Sequence, residues 1–164
     1  IALYSPKLTL RKWQKEALIA SEDASKEKKW GVVSAATGSG KSEVISRLCA
    51  PTTGRILITV PTLYLLHQLL ADLELKYPNS IGLYYNLQKD INKRITICTM
   101  QSLTTMVQEK AYEPVSLWIA DECHRTETVK IKQAVTDYMC PATAIGFTAT
   151  GMLCYHSFVM YYYH

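Results

Sequence analysis

Lys41, Ser42, Asp121, Glu122 and His124 are the side chains whose types and surroundings could do chemistry together. The first two close the run Ala35-Ala36-Thr37-Gly38-Ser39-Gly40-Lys41-Ser42, which follows an apolar, β-branched stretch (30–33) and opens a helical pattern (43–49). Strand, glycine-bearing loop, helix is an order that builds a phosphate cradle. A polyphosphate needs several backbone N–H groups aimed at one spot, and Gly38 and Gly40 permit the tight turn because they accept φ > 0 with no Cβ in the way. A helix beginning near Lys41 directs its positive dipole end to the same place. There the Lys41 ammonium can reach β- and γ-phosphates and the Ser42 hydroxyl can ligate Mg²⁺. Ala35 stands where such loops usually carry their first glycine, a position that needs only a small side chain. The plainer alternative is a Gly/Ser turn with Lys41 on a solvated face.

Asp121 and Glu122 come directly after the apolar run 115–120. A carboxylate at a strand end can hold Mg²⁺ through water, and a second beside it can orient and deprotonate an attacking water. Alone, the pair reads equally as a solvated turn or a helix start. Beside the phosphate loop, it completes a set of lysine, hydroxyl, metal-holding carboxylate and base. His124 has two readings, a surface histidine or a polar link to Thr148-Ala149-Thr150. Cys123 and His124 are adjacent and have no matching ligand pair, so their spacing is not that of a zinc site.

These side chains must be positioned by regular elements. Leu10, Trp13, Ala17 and Leu18 share one face of a helix predicted over 9–21, with Thr9 as N-cap, and 22–29 reads as a charged linker. Runs at 30–34, 55–60, 80–84, 94–99, 115–120 and 143–147 predict strands. Leucines 63, 66, 69, 70 and 73, the stretch through Leu103 and Val107, and 129–139 predict helices. Strands alternating with helices imply a parallel sheet with helices on both faces, because parallel neighbours need crossover connections. Ligands then sit beyond the carboxyl ends of the strands, where each polar cluster falls.

At 164 residues the chain can hold one domain with a real core but not two large ones. Its 48% hydrophobic and 20% charged content excludes a disordered chain. A net charge of +4 is compatible with a polyanionic partner and requires none. The five cysteines (Cys49, Cys98, Cys123, Cys140, Cys154) are odd in number and lack a Cys-x-x-Cys pair, as expected of reduced thiols in a cytoplasmic protein. The uncharged run 140–164 contains Pro141, Gly146 and Gly151 and does not read as a membrane span, so no membrane partner is expected. Lys7, Arg11, Lys12 and Lys15 interrupt any signal-peptide core, and a start at Ile1 suggests a fragment.

Six motifs occur in a telling order: Gln14; 35–42; Val60-Pro61-Thr62 with Leu65 and Gln68; Thr99-Met100-Gln101-Ser102-Leu103; Asp121-Glu122-Cys123-His124; and Thr148-Ala149-Thr150. Together they resemble the first RecA-like lobe of superfamily-two helicases and translocases, in the DECH/DEAH-box branch of repair, phage and restriction motors. The resemblance implies a P-loop NTPase fold in a single lobe over 30–150. Residues 1–29 would be an N-terminal helix with its linker, and 151–164 a tyrosine-rich tail that is truncated or aberrant. It implies that ATP and Mg²⁺ are bound by 36–42 (Ala36, Thr37, Gly38, Ser39, Gly40, Lys41, Ser42) together with Asp121. Gln14 would read the adenine edge, helped by Arg11, and Glu122 would be the catalytic base. Pro61, Thr62, Thr99, Gln101 and Ser102 would contact nucleic acid, DNA ahead of RNA, through its backbone. Thr148 and Thr150 would couple hydrolysis to movement through His124. Gly151 departs from the proline usual in the family at that place, and the second RecA-like lobe with its arginine finger is absent. A rival reading is a catalytically silent module that holds nucleic acid or a partner. A P-loop kinase ranks last, because a lid would need arginines after Glu122 and only Arg125 lies there.

Overall fold

The computed structural model describes residues 9–27, 30–36, 38–124, 126–149 and 159–162. Four strands, β2 (Ile56–Val60), β5 (Ile95–Thr99), β6 (Leu117–Ala120) and β7 (Thr143–Thr148), are buried at every residue. This is why they appear in the sequence as continuous apolar runs rather than alternating ones. Successive residues still serve opposite faces. Ile56, Ile58, Ile95, Ile97, Ile119 and Phe147 pack beneath α1 (Lys12–Lys26), α2 (Lys41–Cys49) and α3 (Leu63–Glu74). Leu57, Cys98, Trp118 and Ala144 pack beneath α4 (Met100–Gln108) and α5 (Thr126–Met139).

With β1 (Trp30–Ser34), β3 (Ile81–Tyr85), β4 (Gln88–Lys89) and β8 (Val159–Tyr162), the sheet has the order β4-β3-β5-β2-β6-β7-β1-β8. Every neighbouring pair is parallel except the short β3–β4 hairpin. This is the α/β architecture, helices on both faces, that the alternation implies. Two polar pairs carried into the core satisfy each other there: Trp118 Nε1 donates to Thr59 Oγ1 at 3.1 Å, and the Tyr112 hydroxyl donates to Thr96 Oγ1 at 3.0 Å. Burial pushes the Cys49 thiol up to about 12, against the pull of nearby Arg94, so this cysteine fills space as a neutral group.

Three local expectations change. The first helix runs on to Lys26, through most of the stretch expected to be a charged linker, because Ser21 and Ala24 continue its buried face and Glu22 pairs with Lys26 at 3.2 Å. Its N-cap is Arg11 rather than Thr9; the Arg11 N–H is satisfied by Gln14 Oε1 at 2.8 Å. Two strands had no sequence signal: β4 is only two residues long, and β8, within the tyrosine-rich tail, pairs with β1 from Gly31↔Val159 to Ser34↔Tyr162. Among the described residues no helix is long and apolar enough to cross a membrane.

Candidate active site

The site is assembled at the carboxyl edge by three neighbouring strands, β6, β7 and β1. β1 leads into the glycine loop and α2, β6 into Asp121-Glu122, and β7, between them, ends at Thr148. Ala35 is buried and its N–H donates to the Thr148 carbonyl at 2.9 Å, so the loop leaves the sheet tied to β7.

Both glycines adopt backbone that other residues avoid, for different reasons. Gly38 has φ 72° with nothing within 4 Å of where a Cβ would stand, so conformation alone demands glycine. Gly40, at φ 97°, is the N-cap of α2, and a Cβ there would lie 2.7 Å from Gln14 Nε2. No side chain caps α2, which leaves its first-turn N–H groups facing the cavity. Gly40→Ala should therefore lower the melting temperature more than Gly38→Ala. The latter carries only the backbone cost, roughly 1–2 kcal/mol, and thermal unfolding of the two variants checks the ranking.

Lys41 reaches across the end of β7. Its Nζ lies 3.3 Å from Asp121 Oδ1 and 3.3 Å from Glu122 Oε1, with side-chain exposures of 14%, 14% and 22%. Asp121 Oδ1 also accepts the Glu122 N–H at 3.0 Å. Glu122 is in the left-handed region at φ 49°, uncommon for a residue with a side chain, and this turn places it beside its neighbour's carboxylate. On its other side, Glu122 Oε2 is 3.4 Å from His124 Nδ1, which is itself 2.7 Å from Thr148 Oγ1. The carboxylate of Glu122 and the hydroxyl of Thr148 thus meet at one nitrogen of His124, which links the lysine's partner to the end of β7.

A cavity of about 470 Å³ opens over this cluster. Gly38, Gly40, Lys41, Ser42, Asp121 and Glu122 line it on one side, and Val60, Leu65, Gln68 and Asp72 on the other. Gln68, already part of the motif that begins at Val60, lies one helical turn from Asp72 on α3; Asp72 had no motif to mark it, only its place as an acidic residue in a leucine-rich helix. The structure brings the lysine, the hydroxyl and both carboxylates to one place. Gln14 and Arg11 are set elsewhere, holding the loop from outside: Gln14 Nε2 donates to the Gly40 carbonyl at 3.0 Å and Arg11 to the Ser39 carbonyl at 3.2 Å. Thr37 and Thr150 lie outside the described residues.

Pro61, Thr62, Thr99, Gln101 and Ser102 stand farther along the same edge, since Val60 pairs with Thr99 in register. The Thr62 hydroxyl caps α3 by accepting from the Leu65 N–H, and the Thr99 hydroxyl caps α4 by accepting from the Ser102 N–H, each at 3.3 Å. Cys123 is a packing residue: Gly146 leaves the space it occupies, for a Cβ at 146 would lie 2.6 Å from Cys123 Sγ.

The donor set suits a magnesium–triphosphate. Uncapped helix N–H groups and an ammonium meet phosphate oxygens, while a hydroxyl and a carboxylate are the hard oxygen ligands that Mg²⁺ prefers. Ser39 Oγ, buried at the loop and without a hydrogen-bond partner among the described residues, is a further polar atom beside the cradle.

No curated protein sequence matches the chain significantly. Among solved structures, it is similar to a nuclease-deletion mutant of the type ISP restriction-modification enzyme LlaGI in complex with a DNA substrate mimic. That match has a TM-score of 0.75 and 18% identity over 96% of this chain and 20% of that one. The UvsW helicase from bacteriophage T4 matches at TM-score 0.75 and 16% identity, over 99% of this chain and 64% of that one. A Sulfolobus solfataricus SWI2/SNF2 ATPase core in complex with dsDNA matches at TM-score 0.70 and 18% identity, over 92% and 34%. At these identities the likeness is one of fold, and the chain spans from 20% to 64% of the length of these three structures. The family model of the type III restriction enzyme res subunit matches residues 7–152, so the chain belongs to that family, and its fold is that of the lobes in these solved structures.

Proposed function

We propose that this chain is the N-terminal motor lobe of an ATP-dependent nucleic-acid helicase or translocase. The observation that carries the reading is the convergence of Lys41 on Asp121 and Glu122 at 3.3 Å, from strands that flank β7. Magnesium-bound ATP would supply the phosphorus to be attacked and a leaving group whose charge the metal neutralises. Lys41, Ser42 and the N–H groups of α2 would hold the phosphates, and Asp121 with Ser42 would hold the metal. Glu122 would take the proton of the attacking water, and its Oε2 shares His124 Nδ1 with the Thr148 hydroxyl. Because the Thr148 carbonyl accepts from Ala35, a change of charge at Glu122 bears on the backbone joining both halves of the site.

The nucleic-acid partner is inferred from the family together with two neighbours of the same fold, one solved with a DNA substrate mimic and one with dsDNA, and DNA is proposed ahead of RNA. Pro61, Thr62, Thr99, Gln101 and Ser102 form the face that meets it. With Thr62 and Thr99 hydroxyls engaged as caps, the helix N-termini behind them are the groups offered to phosphates. A second lobe would complete the site with an arginine, so this lobe alone should turn ATP over slowly. Glu122→Gln removes the base while preserving shape and should cut hydrolysis at least about 100-fold with ATP binding retained. A coupled phosphate-release assay with and without single-stranded DNA checks it. Undiminished turnover would remove Glu122 from the role.

A further inference from the structure

Beyond the nucleotide cavity the carboxyl edge continues across β2, β5 and β3, which lie side by side with their ends level: Val60 pairs with Thr99 and Tyr84 with Cys98. The residues that follow form a strip of a different character. β2 leads through Thr62 to Tyr64, which is 76% exposed on the first turn of α3. β3 ends at Tyr85 and turns through Asn86, at φ 47°, and Leu87, which is 99% exposed. Tyr64 and His67, three residues apart, are neighbours on α3. The His67 ring stands edge-on to that of Tyr85, with centroids 5.7 Å apart and planes at 83°.

Neither Tyr64 nor Leu87 contributes to either core. The nucleotide cavity uses other positions of α3, Leu65, Gln68, Leu69 and Asp72, so the strip is separate from it. One helix therefore presents side chains to the cavity and rings to the outer edge.

We propose that Tyr64, His67, Tyr85 and Leu87 form a stacking platform for unpaired nucleobases. The inference rests on the nucleic-acid reading above and narrows it to a single strand, because duplex bases are already stacked on one another and present no free faces. A strand whose phosphates follow Pro61-Thr62 and the start of α4 turns its bases toward this strip, where π-faces and a bare leucine replace water. Such contacts are blind to sequence, since every base has a face to stack.

The test compares the affinity of the chain for a fluorescent oligothymidylate with that for an abasic strand of equal length and charge, by anisotropy at several salt concentrations. Wild type should prefer the base-bearing strand at least about fivefold. Tyr64→Ala should abolish most of that preference while leaving abasic-strand affinity and the salt slope unchanged, and Tyr64→Trp should keep it. An equal preference in wild type and Tyr64→Ala would overturn the platform, as would tighter binding of duplex than of single strand. If wild type binds neither strand, the nucleic-acid reading itself has failed and the platform loses its ligand with it.

Discussion

Lys41→Ala is expected to weaken binding of magnesium–ATP by roughly 100-fold or more, since it deletes two or more charge-assisted hydrogen bonds of about 1.5–3 kcal/mol each. The loss has a second source. Asp121 and Glu122 both point at the ammonium. Without it, two carboxylates face the cavity uncompensated, and a pocket that drew in a polyanion repels it. Lys41→Arg should not restore the affinity, because a planar fork cannot replace a compact charge where two carboxylates and a phosphate must share one donor. Calorimetric titration of wild type and both variants measures the effect. An affinity within twofold of wild type for Lys41→Ala would contradict it.

The largest stability effect should come from Trp118→Ala. Trp118 is 2% exposed on a strand with neighbours on both sides, and its ring meets that of Trp30 edge-on at 5.9 Å. Truncating a large buried aromatic typically costs about 3–5 kcal/mol, because the cavity left behind collapses only in part. The indole N–H also satisfies Thr59, which is fully buried on β2. Trp118→Phe should be milder, keeping a ring but losing that donor, at about 1–2 kcal/mol. Since β6 runs straight into Asp121, the alanine variant should bind nucleotide poorly as well as unfold early. Urea denaturation gives the stability ranking; equal midpoints for wild type and Trp118→Ala would show that the second core does not rest on this side chain.

Much of this arrangement was legible in the sequence, where local chemistry leaves one solution. Gly38 and Gly40 announced positive φ, and both have it. The runs ending at Val60, Thr99 and Ala120 announced buried strands, and the polar clusters after them fall on one edge of the sheet. What stayed hidden depends on neighbours distant in sequence. That Lys41 spans β7 to meet Asp121 follows from strand order, which periodicity does not encode. That Gln14 joins the start of α1 to the glycine loop, through Arg11 N and the Gly40 carbonyl, likewise depends on packing that its own stretch does not encode. The left-handed backbone of Glu122 had no warning, since nothing in a glutamate requests it. Nor did the tail: β8 gains its place from pairing with β1, not from any pattern of its own.

The central claim, that lysine and carboxylates share one metal–triphosphate pocket, is tested most directly by measuring ATP affinity of the chain with and without Mg²⁺, for wild type and Asp121→Asn. Wild type should bind ATP more tightly when Mg²⁺ is present, and Asp121→Asn should lose that dependence. ATP binding that ignores Mg²⁺ in both proteins would contradict the account.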